Sequence, residues 1–232
     1  MSNNVKTVLE TLAHLDAKGL TTEVDILDSY LRKHAKKVLH RCGLEEATIE
    51  SHKKLLEDYT DAKENLKRER QKILLSSNEK DNSNDSKLRD ISRNLTNARN
   101  SIFLHEMYFA DVIDSKPFPL EKTRFLNDNL NGLYIRSAKD FPKDLVRMAN
   151  LTRSGWVLLT YCTKNKNLEL EIIDLHEIGG TLCRVPVAAL DMWEHAYFMD
   201  FGSDKNAYVE WWLSKLDWRG IETRIKNLSR IK

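Results

Sequence analysis

The sequence predicts an α+β fold, in which an N-terminal α-helical hairpin is followed by a small three-stranded antiparallel sheet flanked by helices. Three observations support this prediction. The first half of the 232-residue chain is helical in its periodicity, the proline-containing segment 115–119 interrupts that pattern, and three runs with the composition of strands follow. Because 41% of the residues are hydrophobic, the chain can bury a substantial core.

The first 40 residues are predicted to form a helical extension. Residues 5–19 and 21–39 each show the spacing of a short helix, and Gly19 separates the two patterns. We therefore define residues 1–40 as a separate N-terminal unit.

A pair of longer helices follows the extension. One helical pattern lies within 45–75 and another within 88–113, and the polar segment 76–86 between them is predicted to be an exposed loop. Two consecutive helices joined in this way form an antiparallel hairpin. We expect an α-hairpin domain over residues 41–115.

The second half, residues 116–232, is predicted to be a mixed α/β domain. Helical stretches near 120–150 precede the three predicted strands, and a further helical tail follows them. The strand patterns occupy residues 155–163, 168–175 and 181–190, and the tail occupies residues 206–228.

Composition excludes several classes of function. A formal net charge of +2 gives no bias towards polyanions, so no nucleic-acid partner is expected. The sequence has no apolar run of the length that a membrane span requires and no recognisable secretory leader, and its three cysteines lack CxxC spacing. These features predict a soluble protein of a reducing, cytoplasmic compartment.

Four side chains could form a metal site. His52 and His105 lie on the apolar faces of the two hairpin helices, and Asp191 and His195 lie four residues apart after the third strand. Three imidazoles and one carboxylate suit iron, manganese or zinc. For any one histidine on an apolar helix face, however, a hydrogen-bonded core residue is the more common role.

Several segments resemble the iron/manganese superoxide dismutase family, in the family's order, from about residue 45 to the C-terminus. The most specific is "DMWEHAYFMDFG", which is similar to the DxWEHAY segment that carries two of the family's metal ligands. "LHEMYFADV" resembles the segment of the second histidine ligand, "RSGWVLL" the first strand with its SGW motif, and "IESHKKLLEDYTDAKENL" the helix of the first ligand.

This resemblance implies that one iron or manganese ion per chain is held by a fixed ligand set: His52, His105, Asp191 and His195. The implied substrate is the superoxide anion, which the family converts to dioxygen and hydrogen peroxide. Trp156 and Trp193 are implied to wall the site, although for each of them simple core packing is the alternative.

The sequence departs from the family at the glutamine that hydrogen-bonds the solvent on the metal. Ser101 and Thr152 occupy the two positions where that glutamine occurs. His176 could donate the same hydrogen bond, the alternative being that it is an exposed loop residue. The family's gateway tyrosine falls eight residues after the first ligand, whereas Tyr59 falls seven after His52, which still leaves it close to the His52 face of the helix.

The resemblance also implies a homodimer. Glu194 corresponds to the glutamate that contacts the partner subunit's site, whereas Leu56 and Phe198 replace a polar bridge between subunits with an apolar pair. A two-fold dimer is still expected, because such a contact needs only a self-complementary patch.

Two classes of function remain open. The first is an active superoxide dismutase. The second is a related structural or interaction protein of a larger assembly, for example a virus particle or ribosome, in which residues 1–40 bind a protein partner and any metal is only structural. The missing glutamine is the feature that keeps the second class open.

Overall fold

A computed structural model describes five segments of the chain, residues 43–76, 84–112, 116–130, 135–176 and 180–230. The predictions for the extension over 1–40 and for most of the polar loop fall outside these segments. Within them, no helix combines the length and apolar character needed to cross a lipid bilayer.

Two long helices form the predicted hairpin. Helix α1 covers Glu46–Ser76 and helix α2 covers Asp85–Asp111. At one end, Ile73 of α1 packs with Ile91 and Leu95 of α2. At the other end, the rings of His52 and His105 lie 6.0 Å apart. The late part of α1 thus contacts the early part of α2, and the helices are antiparallel.

The second half contains three strands flanked by short helices, which confirms the α+β prediction. A 3₁₀ turn, Leu120–Lys122, and two helices, α3 (Arg124–Asn129) and α4 (Phe141–Leu151), precede the sheet. The strands are β1 (Trp156–Cys162), β2 (Leu168–Ile173) and β3 (Arg184–Asp191). Helices α5 (Glu194–Phe201), α6 (Lys205–Lys215) and α7 (Trp218–Ser229) follow them.

The sheet is antiparallel, with β1 between β2 and β3. Every residue of β1 is buried, including Thr160, in agreement with its largely apolar sequence. The register places Trp156 opposite Ile173 on one side and opposite Asp191 on the other. The start of β1, the end of β2 and the end of β3 therefore meet at one edge of the sheet.

Gly155 permits the close approach of chains at this edge. Its φ of +134° lies in a region that L side chains rarely adopt, and a Cβ atom there would lie 2.2 Å from the carbonyl oxygen of Ile173. The Gly155 carbonyl accepts a hydrogen bond of 2.8 Å from the Met192 N–H, just after Asp191. The glycine of the SGW motif is thus explained by strand packing.

The C-terminal tail is helical, as its pattern predicts, and is divided into two helices. Leu216 leaves the helix to form an isolated β-bridge with Val112, and the Asp217 N–H donates to the Asp111 carbonyl at 3.0 Å. Arg224 of α7 then donates to the Asp111 carboxylate at 2.6 Å. Contacts with the end of α2 therefore divide the tail into two helices. The helical periodicity of the tail does not reveal such long-range contacts.

Candidate metal centre

Four side chains converge where the hairpin meets the open edge of the sheet. His52 lies on α1, His105 on α2, Asp191 at the end of β3 and His195 in the first turn of α5. One potential ligand atom from each residue lies within 4.8 Å of all the others. The structure thus brings together the four residues that the resemblance assigned as a ligand set.

Asp191 lies at the centre of this group. Its Oδ2 atom is 3.3 Å from Nε2 of His195, 3.4 Å from Nε2 of His105 and 3.9 Å from Nε2 of His52. Its other oxygen, Oδ1, accepts a hydrogen bond of 2.9 Å from the Trp193 N–H. One carboxylate oxygen is therefore held by the backbone, while the other faces three imidazoles.

The two hairpin histidines are oriented by their own helices. His52 Nδ1 donates to the Thr48 carbonyl at 2.8 Å, and His105 Nδ1 donates to the Ser101 carbonyl at 2.7 Å. A proton on Nδ1 leaves the Nε2 lone pair available, which is the form of histidine that binds a metal. The carbonyl one helical turn earlier therefore selects the ligating tautomer in both cases.

Hydrogen bonds fasten the helix of His195 to the helix of His52. Asp200, near the end of α5, accepts from the Thr48 hydroxyl at 2.5 Å and from the Glu45 N–H at 2.6 Å. The two elements are thereby joined within one turn of His52. This link fixes the relative positions of His52 and His195, which are far apart in the sequence.

Burial and charge shift the pKa values of the four groups in different directions. Burial lowers the pKa of His105 to about 3 and also lowers the pKa of His52. Burial opposes ionisation of His195 as well, but the Asp191 carboxylate outweighs it, so the pKa of His195 is raised. Burial likewise opposes ionisation of Asp191, yet its closeness to the imidazoles, His195 above all, holds its pKa below the ordinary value.

The four atoms that face one another are buried without hydrogen-bond partners in the described part of the chain. They are Nε2 of His52, His105 and His195 and Oδ2 of Asp191. Leaving a buried polar atom unsatisfied costs roughly 1–3 kcal/mol, and native proteins rarely do so without a reason. Three nitrogens and one oxygen form the donor set of a mononuclear transition-metal site. The group can therefore hold a metal ion.

A second group of side chains packs against His105. The Trp156 ring lies 4.9 Å from the His105 ring and the Tyr59 ring 6.3 Å from it. Trp156 Nε1 donates to His176 Nε2 at 2.7 Å, and the Tyr59 ring lies 5.9 Å from the His176 ring. His176 is buried, so the alternative of an exposed loop histidine is wrong.

Trp193 and Glu194 complete the set of residues identified from the sequence. The Trp193 ring stacks on His176, with ring centres 5.9 Å apart. Glu194 is the first residue of α5, and its side chain is exposed. Its position next to His195 leaves it accessible from outside the chain.

Two contributors to the site escape sequence reasoning. Tyr208 of α6 is fully buried and donates from its hydroxyl to the Asp191 carbonyl at 2.7 Å. Asn100 of α2 donates to the His176 carbonyl at 2.5 Å, which ties the segment after β2 to the hairpin. Nothing in the local sequence pattern distinguishes either residue, since both act through contacts between distant elements.

A helical hairpin and a three-stranded sheet that share three histidines and an aspartate define an α+β protein with a site for a single metal ion. Residues 126–224 match the C-terminal domain of the iron/manganese superoxide dismutases. That match covers the sheet, Asp191 and His195. This region of the chain therefore belongs to the iron/manganese superoxide dismutase family.

Individual relatives support this membership at modest identity. An iron superoxide dismutase of Cupriavidus metallidurans is 34% identical over 133 residues, which are 55% of this chain and 62% of the relative. A manganese superoxide dismutase of Halobacterium salinarum is 38% identical over 68 residues, 29% of this chain and 34% of the relative. An iron superoxide dismutase of Pyrobaculum aerophilum is 24% identical over 140 residues, 60% of this chain and 66% of the relative. Each match spans less than two thirds of the relative.

Proposed function

We propose that the protein is a superoxide dismutase, which converts two superoxide anions to dioxygen and hydrogen peroxide. The observation that carries this proposal is the convergence of four buried ligand atoms that lack hydrogen-bond partners among the described residues. The relatives are named as superoxide dismutases, which supports the same reaction.

We propose His52, His105, Asp191 and His195 as the ligands of one iron or manganese ion per chain. The relatives are named as iron or manganese enzymes, and the nitrogen-rich donor set with one carboxylate suits both metals. An ion bound there would supply the electron transfer that oxidises one superoxide and reduces another.

We propose that His176, Trp156 and Tyr59 control proton transfer and hydrogen bonding at the metal site. Because His176 Nε2 accepts the Trp156 N–H, a neutral His176 ring carries its proton on Nδ1. This is the nitrogen that we propose as a hydrogen-bond donor in place of the family's glutamine. Small side chains at the two usual glutamine positions, Ser101 and Thr152, are consistent with a larger group entering from another segment.

Aromatic rings are proposed to keep bulk water and larger reductants away from the ligands. Trp156 packs against His105, the Tyr108 ring stacks on His52 at 6.0 Å, and Trp193 covers His176. Exclusion of water from a polar site strengthens the electrostatic interactions within it. Tyr59 lies beside His105 and His176 and is proposed as the gateway residue.

We further propose that two copies of the chain form a two-fold dimer around α5. Glu194 is exposed on this helix, and Phe198 and Met199 expose 59% and 46% of their surfaces. Exposed apolar side chains beside a charged residue are typical of an interface. Phe198 would then replace a polar contact of the family with an apolar one.

We also propose three further properties. The domain limits 41–115 and 116–232 agree with a hairpin that ends at Asp111 and a sheet that begins at Trp156. A cytoplasmic location agrees with Cys162 and Cys183, which are free thiols. Residues 1–40 are proposed to bind a protein partner.

The proposed function is tested on protein loaded separately with iron or with manganese. Metal content is measured by elemental analysis, and superoxide consumption is measured per bound ion. We expect about one ion per chain and activity with at least one metal. Asn65→Ala, on the same helix as His52, is the control variant and should keep both the metal and the activity. Asn65 is exposed, and its side chain accepts a hydrogen bond from Arg68.

The alternative function, a structural or interaction protein, makes a different prediction. It predicts protein that is folded and either metal-free or metal-loaded, with superoxide consumption no greater than that of the free ion. That result with both metals would refute catalysis without refuting the metal site.

A further inference from the structure

Two thiols lie at the edge of the sheet that is remote from the metal centre. Cys162 is the last residue of β1, and Cys183 directly precedes β3. β1 begins at Trp156 beside the site, so at about 3.3 Å per residue Cys162 lies about 20 Å from it. The two Sγ atoms are 3.4 Å apart, and both thiols are free.

The backbone holds the two sulfurs in this arrangement. Cys183 has a φ of +74°, a left-handed conformation that residues other than glycine and asparagine seldom adopt. The Thr163 N–H donates to the Cys183 carbonyl at 3.0 Å, which fixes the turn against the end of β1. A cysteine thus occupies a position suited to glycine, with its sulfur beside a second cysteine.

The surroundings give the two thiols different properties. Cys183 is exposed and open to a reagent from solution, whereas Cys162 is buried. The Asn165 N–H donates to Cys162 Sγ at 3.3 Å and thereby lowers the pKa of that thiol. The neighbouring Cys162 raises the pKa of Cys183. One thiol is therefore accessible and the other is the better thiolate.

We propose that Cys162 and Cys183 are a modification site, which hydrogen peroxide oxidises to a reversible disulfide. In the first step, the Cys183 thiolate attacks one peroxide oxygen, the O–O bond breaks, and hydroxide leaves to become water. The product is a sulfenic acid on Cys183. In the second step, the Cys162 thiolate attacks that sulfur, the S–O bond breaks, and a second water leaves. Two thiols lose two electrons and two protons, and one peroxide is reduced to two waters.

The disulfide would close a covalent ring that contains β2 and His176. Closing a loop of this size restricts the unfolded chain and stabilises the folded one. We expect the melting temperature to rise by roughly 5 °C, a shift consistent with typical disulfides in domains of this size. A thiol reductant should reverse the change.

The test treats the full-length protein with hydrogen peroxide, blocks remaining thiols by alkylation and digests with trypsin. We expect peptide 154–164 to be joined to peptide 167–184, with two hydrogens lost. The experiment does not depend on dismutation, because the peroxide is added. Cys42→Ser serves as the matched control and should still form the cross-link.

Cys183→Ser and Cys162→Ser should each abolish the cross-link and the rise in melting temperature. Cys183→Ser keeps the test valid if loss of the buried thiol impairs folding, since Cys183 is exposed. Three results would overturn the proposal: both thiols still alkylated after treatment, Cys183 converted to sulfinic acid without a cross-link, or a disulfide that involves Cys42.

Discussion

The helical hairpin and the sheet half hold their share of the metal centre in different ways. In the hairpin, each histidine is fully buried and bonded to a carbonyl of its own helix. In the sheet half, the Trp193 N–H holds one Asp191 oxygen, the other oxygen lies 3.3 Å from His195 Nε2, and His195 keeps 25% of its side chain exposed. Carbonyls within the helices therefore orient the two hairpin histidines, whereas Asp191 is held by a backbone N–H outside regular secondary structure.

The same contrast appears in their acid–base behaviour. Burial lowers the pKa of both hairpin histidines, so each is neutral near pH 7 and its Nε2 can bind a metal. Asp191 raises the pKa of His195, so in the metal-free protein that imidazole keeps its proton to a higher pH than an ordinary histidine does. Metal binding to His195 is therefore expected to compete with protons to a higher pH than metal binding to the two hairpin histidines.

The largest effect is expected from removing one ligand on either side. His52→Ala and Asp191→Ala should each abolish stable metal binding and lower the melting temperature of the metal-loaded protein by several degrees, because a bound ion joins the two halves. Elemental analysis and thermal unfolding measure both effects. If both variants kept a full complement of metal, the assignment of ligands to the two halves would be wrong.

A smaller effect should follow from a change on the sheet side that removes no ligand. His176→Ala should retain the metal but reduce turnover by roughly the 10- to 100-fold that is typical of lost hydrogen bonds around a metal site. His176→Gln should recover part of the activity, because an amide can also donate. A metal-normalised superoxide assay measures both.

The control for His176 is His14→Ala, which lies in the N-terminal extension and should leave activity unchanged. Equal activity of the His176→Ala and His14→Ala proteins would show that His176 has no part in turnover. The comparison of Ala with Gln separates loss of a donor from loss of packing, which a stability measurement alone cannot do.

The smallest effect is expected from a change of pH, which alters the stability of the metal-free protein. Because the pKa of His105 is lowered, its contribution to the free energy of unfolding is present above pH 6.5. That contribution is lost as the pH falls from 6.5 towards 3. The raised pKa of His195 has the opposite sign, so its contribution is present below pH 6.5 and is lost as pH rises through the raised value.

NMR titration of the imidazoles in metal-free protein checks this contrast. We expect the His195 signal to titrate above pH 6.5 and the His105 signal to remain neutral down to about pH 3 or to the pH of unfolding. Titration of both residues near pH 6.5 would remove the difference between the two halves.

The sequence predicts the secondary-structure elements well and identifies the four side chains that the structure brings together, because both depend on local signals. The apolar run of β1 and the spacing of the hairpin helices identify the elements, and the WEHAY segment identifies Asp191 and His195. The break at Leu216 could not be predicted in this way, since it results from a bridge to Val112 more than a hundred residues earlier.

The position of His176 illustrates the same limit within the site. Its local sequence, "HEIGG", has the composition of a turn, and turns are usually exposed. The ring is nevertheless buried, because Trp156 bonds its nitrogen and Asn100 bonds its carbonyl. Tyr208 is similar, since its role depends on the register that places Asp191 beside it. Contacts of this kind belong to the tertiary structure.

The spread of the ligands along the chain has a consequence for synthesis in the cell. His52 belongs to the first long helix, whereas Asp191 and His195 follow the last strand. A ribosome that extends the chain at about 5–20 residues per second releases the late ligands many seconds after His52. The nascent chain therefore has an incomplete ligand set until His195 has been synthesised. An ion can meet all four side chains only after that point.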